Sequence, residues 1–497
     1  MDRRKFIGTS ASAGMLAASG ITMKPEAQTK DSKHPNILWI MMDDARADTI
    51  GCYGKSWVKT PAMDKIAENG VRFEFAIVQN PVCVPSRSSL LTGHYAHTIK
   101  MMAMGKPASD PPLYYKDSDG DRPNLLDFWK NAGITPVNVG KRHGYDRFFA
   151  DLGDTYPHFD VYGKPRTDLA KTIMAEKDPF GRYPEAITKT HKWAIGGRIP
   201  LKPEESSTWD IGTNAVNKLT ELAEKDEPFF LRVSFHAPHV ACRVPESYFT
   251  DPQAIDLPLP TDEELKNKPR FEREGLRVYA GADLTEEQIG IARGTYYGMV
   301  SLVDVQVARI VEVLEKSGMM DNTIIAINSD QGFQLGEHGL WKKRVFYDQN
   351  VCVPLILSCP KLLPSGKVIR EPVELIDFMP TLMELSGFES PDTISGKSLL
   401  PLIHGEVSEW REACFSEIDH SQSMYEELRT GTGRRVMVRT KEWKLVYFMD
   451  ERYVDKDGCL YNLINDPDET DNLYSQPKYR EIIHYLENLS KKWAQTS

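Results

Sequence analysis

Asn36-Ile37-Leu38-Trp39-Ile40-Met41-Met42-Asp43-Asp44 is the stretch from which the fold is read. Six apolar residues follow Asn36 without interruption, and two acids close the run. A strand with one wet face would alternate. An unbroken run is expected of a strand covered on both faces, as in a parallel sheet between helices. Three further segments have the same form. Residues 134–139 lead into Lys141-Arg142-His143, residues 228–235 into His236 and His239, and residues 323–328 into Asp330-Gln331. In open α/β sheets, ligands bind beyond the carboxyl ends of the strands. These polar clusters are therefore expected to converge on one pocket, although the sequence does not fix strand order.

Helical segments separate the runs. Residues 60–70 have Thr60 in position to cap, Pro61 in the first turn and Gly70 as a left-handed stop. A second helix is expected over 123–131. Thr285-Glu286-Glu287-Gln288 has capping-box spacing and opens a long helix to about residue 317. Residues 157–208 and 245–284 read as irregular insertions, which in α/β domains often carry substrate contacts. After residue 405, short strands at 435–439 and 444–448 precede a closing helix at 479–494. The class is α/β: a large mixed, mostly parallel sheet sandwiched by helices over residues 34–405, plus a small C-terminal antiparallel sheet with one helix over 406–497.

The chain has 497 residues, 41% of them hydrophobic and 27% charged, which fits a globular protein. A net charge of −10 without a basic stripe speaks against nucleic acid as partner. Met1-Asp2-Arg3-Arg4-Lys5-Phe6-Ile7 precedes a weakly apolar run, too short and too polar for a stable membrane span. Residues 1–33 read as a twin-arginine export signal and linker, with cleavage near Ala27. The expected partner is the twin-arginine export machinery, and the expected location is periplasmic or extracellular. Seven cysteines without a CxxC pair make a zinc ribbon a poor fit. If one is chemically special, six remain that can be free or paired.

Asp43, Asp44 and Asp330 gathered in one pocket would repel one another without a counter-ion. With the carbonyl of Gln331 they form an all-oxygen set, which favours Ca2+ or Mg2+ over Zn2+. Asp43 and Asp44 can equally cap a turn. Pro81-Val82-Cys83-Val84-Pro85-Ser86-Arg87-Ser88-Ser89-Leu90-Leu91-Thr92-Gly93 places Cys83 ahead of a helix expected to start near Ser86. The free N–H groups there favour an anion. Cys83 is either a nucleophile or a small core residue.

Cys83-Val84-Pro85-Ser86-Arg87 followed by Leu90-Leu91-Thr92-Gly93 resembles the signature of the type I, formylglycine-dependent sulfatases of the alkaline phosphatase superfamily. Gly140-Lys141-Arg142-His143, Ala237-Pro238-His239, Ser329-Asp330-Gln331-Gly332, Leu335-Gly336-Glu337-His338-Gly339 with Lys343, and Leu460-Tyr461-Asn462-Leu463 with Asp466-Pro467-Asp468-Glu469 resemble further elements of that family in order. The texture is similar to iduronate-2-sulfatase-like members. There are departures. Val84 is bulkier than usual, Gln331 stands where His or Asn is common, Arg142 replaces a frequent aromatic residue, and no proline follows His239.

The resemblance implies an alkaline phosphatase-like fold and hydrolysis of a sulfate ester, with a sulfated carbohydrate as the expected substrate. It implies that a maturation enzyme oxidises Cys83 to formylglycine. One hydroxyl of the hydrated aldehyde attacks sulfur, and the other expels sulfate afterwards. It implies one Ca2+ per chain on Asp43, Asp44, modified Cys83, Asp330 and Gln331. Lys141 and Lys343 would clamp sulfate oxygens, and His239 would protonate the leaving alkoxide. His143 would orient the hydrate or accept its proton in the release step, and Arg87 would hold the modified residue or a ligand carboxylate. Two rivals remain: a phosphonate or phosphodiester hydrolase of the same superfamily, and a non-catalytic binder of sulfated glycans that keeps a Cys83 thiol.

Overall fold

The computed structural model describes residues 34–103, 125–142, 150–151, 185–187, 194–225, 227–239, 243–269, 271–273, 284–419, 433–449 and 457–496. The expected export signal and His143 lie outside them.

The described chain starts with β1 (Asn36–Asp43), α1 (Pro61–Glu68), β2 (Val71–Phe73) and α2 (Cys83–Thr92). It continues through β3 (Pro136–Gly140), β4 (Ala150–Asp151), α3 (Ser207–Ala223), β5 (Phe230–Pro238) and α4 (Glu286–Ser317). Then come β6 (Thr323–Ser329), β7 (Leu355–Ser358), β8 (Lys367–Ile369) and α5 (Phe378–Leu385). The eight strands form one sheet in the order β8-β2-β7-β6-β1-β5-β3-β4. Its pairings are parallel except those of β7 with β6 and β2, so the sheet is mixed and mostly parallel as expected.

The unbroken apolar run of β1 divides between two cores. Ile37, Trp39 and Met41 point into one, beside Leu90, Phe378 and Met379 of α2 and α5. Leu38, Ile40 and Met42 point into the other, beside Met63, Ile211 and Val303 of α1, α3 and α4. All six are fully buried. Each such side chain contributes about 1.5–3 kcal/mol relative to exposure, which explains why the run carries no polar residue.

Local signals hold in part. The Thr285–Gln288 capping box forms with both of its hydrogen bonds, at 3.0 and 3.2 Å. Thr60 does not cap α1; its hydroxyl oxygen accepts from the N–H of Gly51 at 2.7 Å. Gly70 is not a left-handed stop. A Cβ there would collide with the Leu357 carbonyl of β7, so its lack of a side chain admits a neighbouring strand. The expected second helix is shorter, Asp127–Asn131. Helix α2 begins at Cys83 rather than near Ser86. Pro85 is accommodated because the first turn of a helix needs no N–H partner there. The region expected to be irregular to residue 208 contains strands Glu185–Ile187 and Ala194–Ile199 and the start of α3.

After residue 405, strands β9 (Cys414–Asp419), β10 (Arg434–Arg439), β11 (Trp443–Phe448) and β12 (Cys459–Asn462) pair antiparallel in that order, and α6 (Arg480–Thr496) closes the chain. One face of this sheet packs Val436, Val438 and Leu445 against Ile483, Leu486 and Trp493 of α6. The other face sends Met437, Val446 and Tyr461 into the core that holds Trp39. Residues 34–497 accordingly form one compact unit. Among the described residues, six cysteines are free thiols and no helix is long and apolar enough to cross a membrane.

Candidate active site

Strand order brings the sequence clusters together. β1 lies between β6 and β5, and β3 lies beyond β5. Four neighbouring parallel strands therefore deliver Asp330, Asp43 with Asp44, His239 and Lys141 to one edge. Gly140 makes the last placement possible. Its φ of 90° turns the chain, a Cβ would strike the Ser234 carbonyl, and the Lys141 N–H donates to that carbonyl at 2.8 Å. Cys83 enters from α2 at the amino end of that helix, where unpaired N–H groups favour negative charge.

Asp43, Asp44, Cys83, Arg87, Asp330 and Gln331 are buried, with at most 2% exposure. Lys343 Nζ donates to an Asp44 oxygen at 2.6 Å and to Cys83 Sγ at 2.8 Å. Lys141 pairs with Asp43. Gln331 Nε2 donates to Asp44 and, at 3.3 Å, to Cys83 Sγ. The Cys83 thiol lies 3.6 Å from an Asp43 oxygen. His239 Nε2 is 3.7 Å from Asp44 and the ring is partly exposed. That position suits a group exchanging protons with solvent beside the acid cluster.

Asp330 is held differently. Arg87 Nε donates to one oxygen at 2.7 Å, and the N–H groups of Asp44 and Gln331 donate to the other at 3.1 and 3.0 Å. Ser86 donates to its carbonyl, and Arg87 Nη1 reaches Ser234 Oγ at 3.1 Å. Burial opposes the charge on Asp330, but Arg87, Lys141 and Lys343 outweigh it and hold the carboxyl below its usual range. Asp44 goes the other way. Burial, with Asp330 adding repulsion, pushes its carboxyl up to about 6 against the pull of Lys343. Burial likewise pushes the Cys83 thiol up to about 11, so an unmodified thiol here stays protonated at neutral pH.

Among the described residues, one group of side chains could hold a metal ion. Asp43, Asp44, Cys83 and His239 offer ligand atoms within 4.8 Å of one another. Gln331 Oε1 and one Asp44 oxygen are buried without a hydrogen bond, which is costly unless something else satisfies them. The group contains two of the expected carboxylates, Asp43 and Asp44, whose oxygens are of the kind Ca2+ takes, and adds His239. Asp330 is not in it, its two oxygens accepting from Arg87 and from backbone N–H groups.

Some supporting residues carry no signal in the sequence. Asp44 has φ 66°, a strained conformation for a residue with a side chain. Tyr296 of α4 holds it there by donating to the Asp44 carbonyl at 2.6 Å, while its oxygen accepts from the Arg46 N–H at 3.2 Å. Ser234 is a second such residue. Both sit inside ordinary apolar segments of a helix and a strand.

Comparison with known proteins identifies the family. Residues 35–388 match the sulfatase family model, and residues 336–495 match that of the N-sulphoglucosamine sulphohydrolase C-terminal region. The chain is 28% identical to an arylsulfatase of Clostridium perfringens, over 92% of this chain and 93% of that protein. It is 26% identical to an N-acetylglucosamine-6-O-sulfatase of Bacteroides thetaiotaomicron, over 96% and 90%. In fold it is similar to the phosphonate monoester hydrolase of Agrobacterium radiobacter, with TM-score 0.75, 24% identity and coverage of 93% and 96%. The family match spans most of the chain and every residue of the site described above, so the chain belongs to the sulfatase family, enzymes that hydrolyse sulfate esters.

Proposed function

We propose that the protein removes sulfate from a saccharide, using a formylglycine made from Cys83 and one Ca2+ held by Asp43, Asp44, Asp330, Gln331 and the modified residue. The observation that carries this is the position of Lys343 Nζ, within 2.8 Å of Cys83 Sγ and 2.6 Å of Asp44. A cation there faces both the nucleophile's position and the acid cluster, where a sulfate oxygen must lie during attack. Bound Ca2+ would supply Lewis acidity and offset the repulsion among the acids. Formylglycine would supply a hydrated aldehyde in place of a protonated thiol.

The chain's own groups then divide the work. Lys343 and Lys141 bind sulfate oxygens, where charge grows as the ester bond lengthens. His239 gives a proton to the leaving alkoxide. Arg87 fixes Asp330, and His143 orients the reacting group. A saccharide is favoured because the Bacteroides relative is named for a sulfated amino sugar and aligns along 96% of this chain. We also propose that Arg3 and Arg4 direct export to the periplasm or beyond. Retained export after both are changed to Lys would refute that part.

Matured, calcium-loaded protein should be assayed on matched aryl sulfate and aryl phosphonate esters, then on sulfated monosaccharides such as N-acetylglucosamine 6-sulfate. The expected result is a higher kcat/KM for the sulfate esters and release from at least one sugar. Faster phosphonate hydrolysis would move the protein to the hydrolase reading, and binding without turnover would move it to the glycan-binding one.

A further inference from the structure

The Asp466-Pro467-Asp468-Glu469 element lies in the turn after β12, outside the strand-end pocket, and no catalytic role accounts for it. Its last residue is buried to 1% exposure and has φ 56°. A carboxylate is rarely placed so deep without a purpose for its charge. Glu469 Oε1 pairs with Lys444 Nζ at 2.6 Å, and its other oxygen accepts from the Asp348 N–H at 2.7 Å. Lys444, in β11, is fully buried. Its ammonium also reaches the Asp348 carboxylate at 2.6 Å and the Phe346 carbonyl at 3.1 Å. Arg439, at the end of β10, closes the set with two bonds to Asp348, at 3.1 and 2.9 Å.

Apart from the Glu469–Lys444 pair, these bonds fall on Phe346 and Asp348, only a few positions after Lys343. The intervening backbone is not relaxed. Lys342 has φ 85° and Arg344 has φ 83°, left-handed conformations on both sides of the sulfate-facing lysine. Side-chain-bearing residues stay in that region when the surroundings over-determine them. Asn350 holds the near side, donating to the Lys342 carbonyl at 3.1 Å and accepting from Gln334 at 2.7 Å. The far side is held from the C-terminal sheet. Two cations and two acids meet there, so the buried charges are matched and directional.

We propose that Lys444 and Glu469 are positioning residues for the sulfate site: they fix residues 346–348 and so hold the Lys343 ammonium where sulfate binds. This rests on the reading of Lys343 as a sulfate clamp. It gives the C-terminal subdomain a part in catalysis that none of its side chains performs by contact.

The test measures the Kd for inorganic sulfate by calorimetry on matured, calcium-loaded, full-length protein, with thermal melts and with kcat and KM on an aryl sulfate. The variants are Lys444→Met, Glu469→Gln and, as reference, Lys343→Ala. A merely structural role lowers the melting point and leaves the sulfate affinity of folded protein intact. The proposal expects Lys444→Met to weaken sulfate binding about ten- to hundredfold, the scale of loss when a supporting shell lets a group shift by an ångström. Glu469→Gln keeps an acceptor for the Asp348 N–H, so its loss should be smaller and in the same direction. Sulfate affinity unchanged in Lys343→Ala would remove the underlying reading. Affinity lost in Lys343→Ala but kept in folded Lys444→Met would overturn the positioning role alone. If Lys444→Met does not fold, Glu469→Gln decides by the same criterion.

Discussion

Asp44, fully buried, and Asp348, partly buried, lie in two clusters of charge, and their carboxyls are shifted in opposite directions. At the strand ends, Asp44 stands beside Asp43 and Asp330, and burial pushes its carboxyl up to about 6. At the C-terminal sheet, burial also opposes the charge on Asp348, but Arg439 and Lys444 outweigh it and hold that carboxyl well below its usual range. In the second cluster Lys444 pairs with both acids and Arg439 with Asp348, although Glu469 Oε1 makes no hydrogen bond. The first leaves Gln331 Oε1 and an Asp44 oxygen without hydrogen bonds. A cluster paired from within serves position. The ion and the substrate proposed for the first cluster would complete it.

The largest effect expected on this contrast is at Cys83. Cys83→Ser should lower kcat on aryl sulfate by about 10³-fold or more, since a serine ester has no internal route for sulfate release, with the melting point nearly unchanged. Turnover near that of the parent protein would break the functional half of the comparison. Next is Arg87, where the active cluster is paired as firmly as the C-terminal one. Arg87→Gln leaves Asp330 buried beside other acids and should cost about 3–5 kcal/mol in denaturant unfolding. A loss near zero would mean that Asp330 is held by its N–H donors alone.

Metal removal separates the clusters directly. Ca2+ at 100-fold its Kd should stabilise the protein by about 2.7 kcal/mol over the chelated form, read as a rise in Tm. Asp44→Asn should abolish the response, and Asp348→Asn should keep it. The reverse pattern would invert the account. The smallest effect concerns acid. Asp348 has a depressed folded pKa, so its contribution is present above the ordinary carboxylate range and is lost as pH falls through that range and below it. Denaturant midpoints should therefore fall less steeply below about pH 4 in Asp348→Asn than in the parent.

Much of the site was legible because its residues end apolar runs. The runs before Asp43, Lys141, His236 and Asp330 mark buried strands, and such strands meet their ligands at their carboxyl ends. Strand order was not legible, since it depends on pairing between segments as distant as residues 36–43 and 323–329. The start of α2 was misplaced because Pro85 reads as a boundary when it lies within a first turn. Helix α3 gave no clear sign beside the polar stretch before it. Tyr296 and Lys444 act through hydrogen bonds to backbone far away in sequence, for which residue type and spacing offer no cue.

The most direct measurement is a mass spectrum of the tryptic peptide spanning residues 73–87, from protein co-expressed with a formylglycine maturation enzyme. The account predicts an aldehyde at Cys83 that a hydrazide traps. An intact thiol, under conditions that mature a control sulfatase, would contradict it.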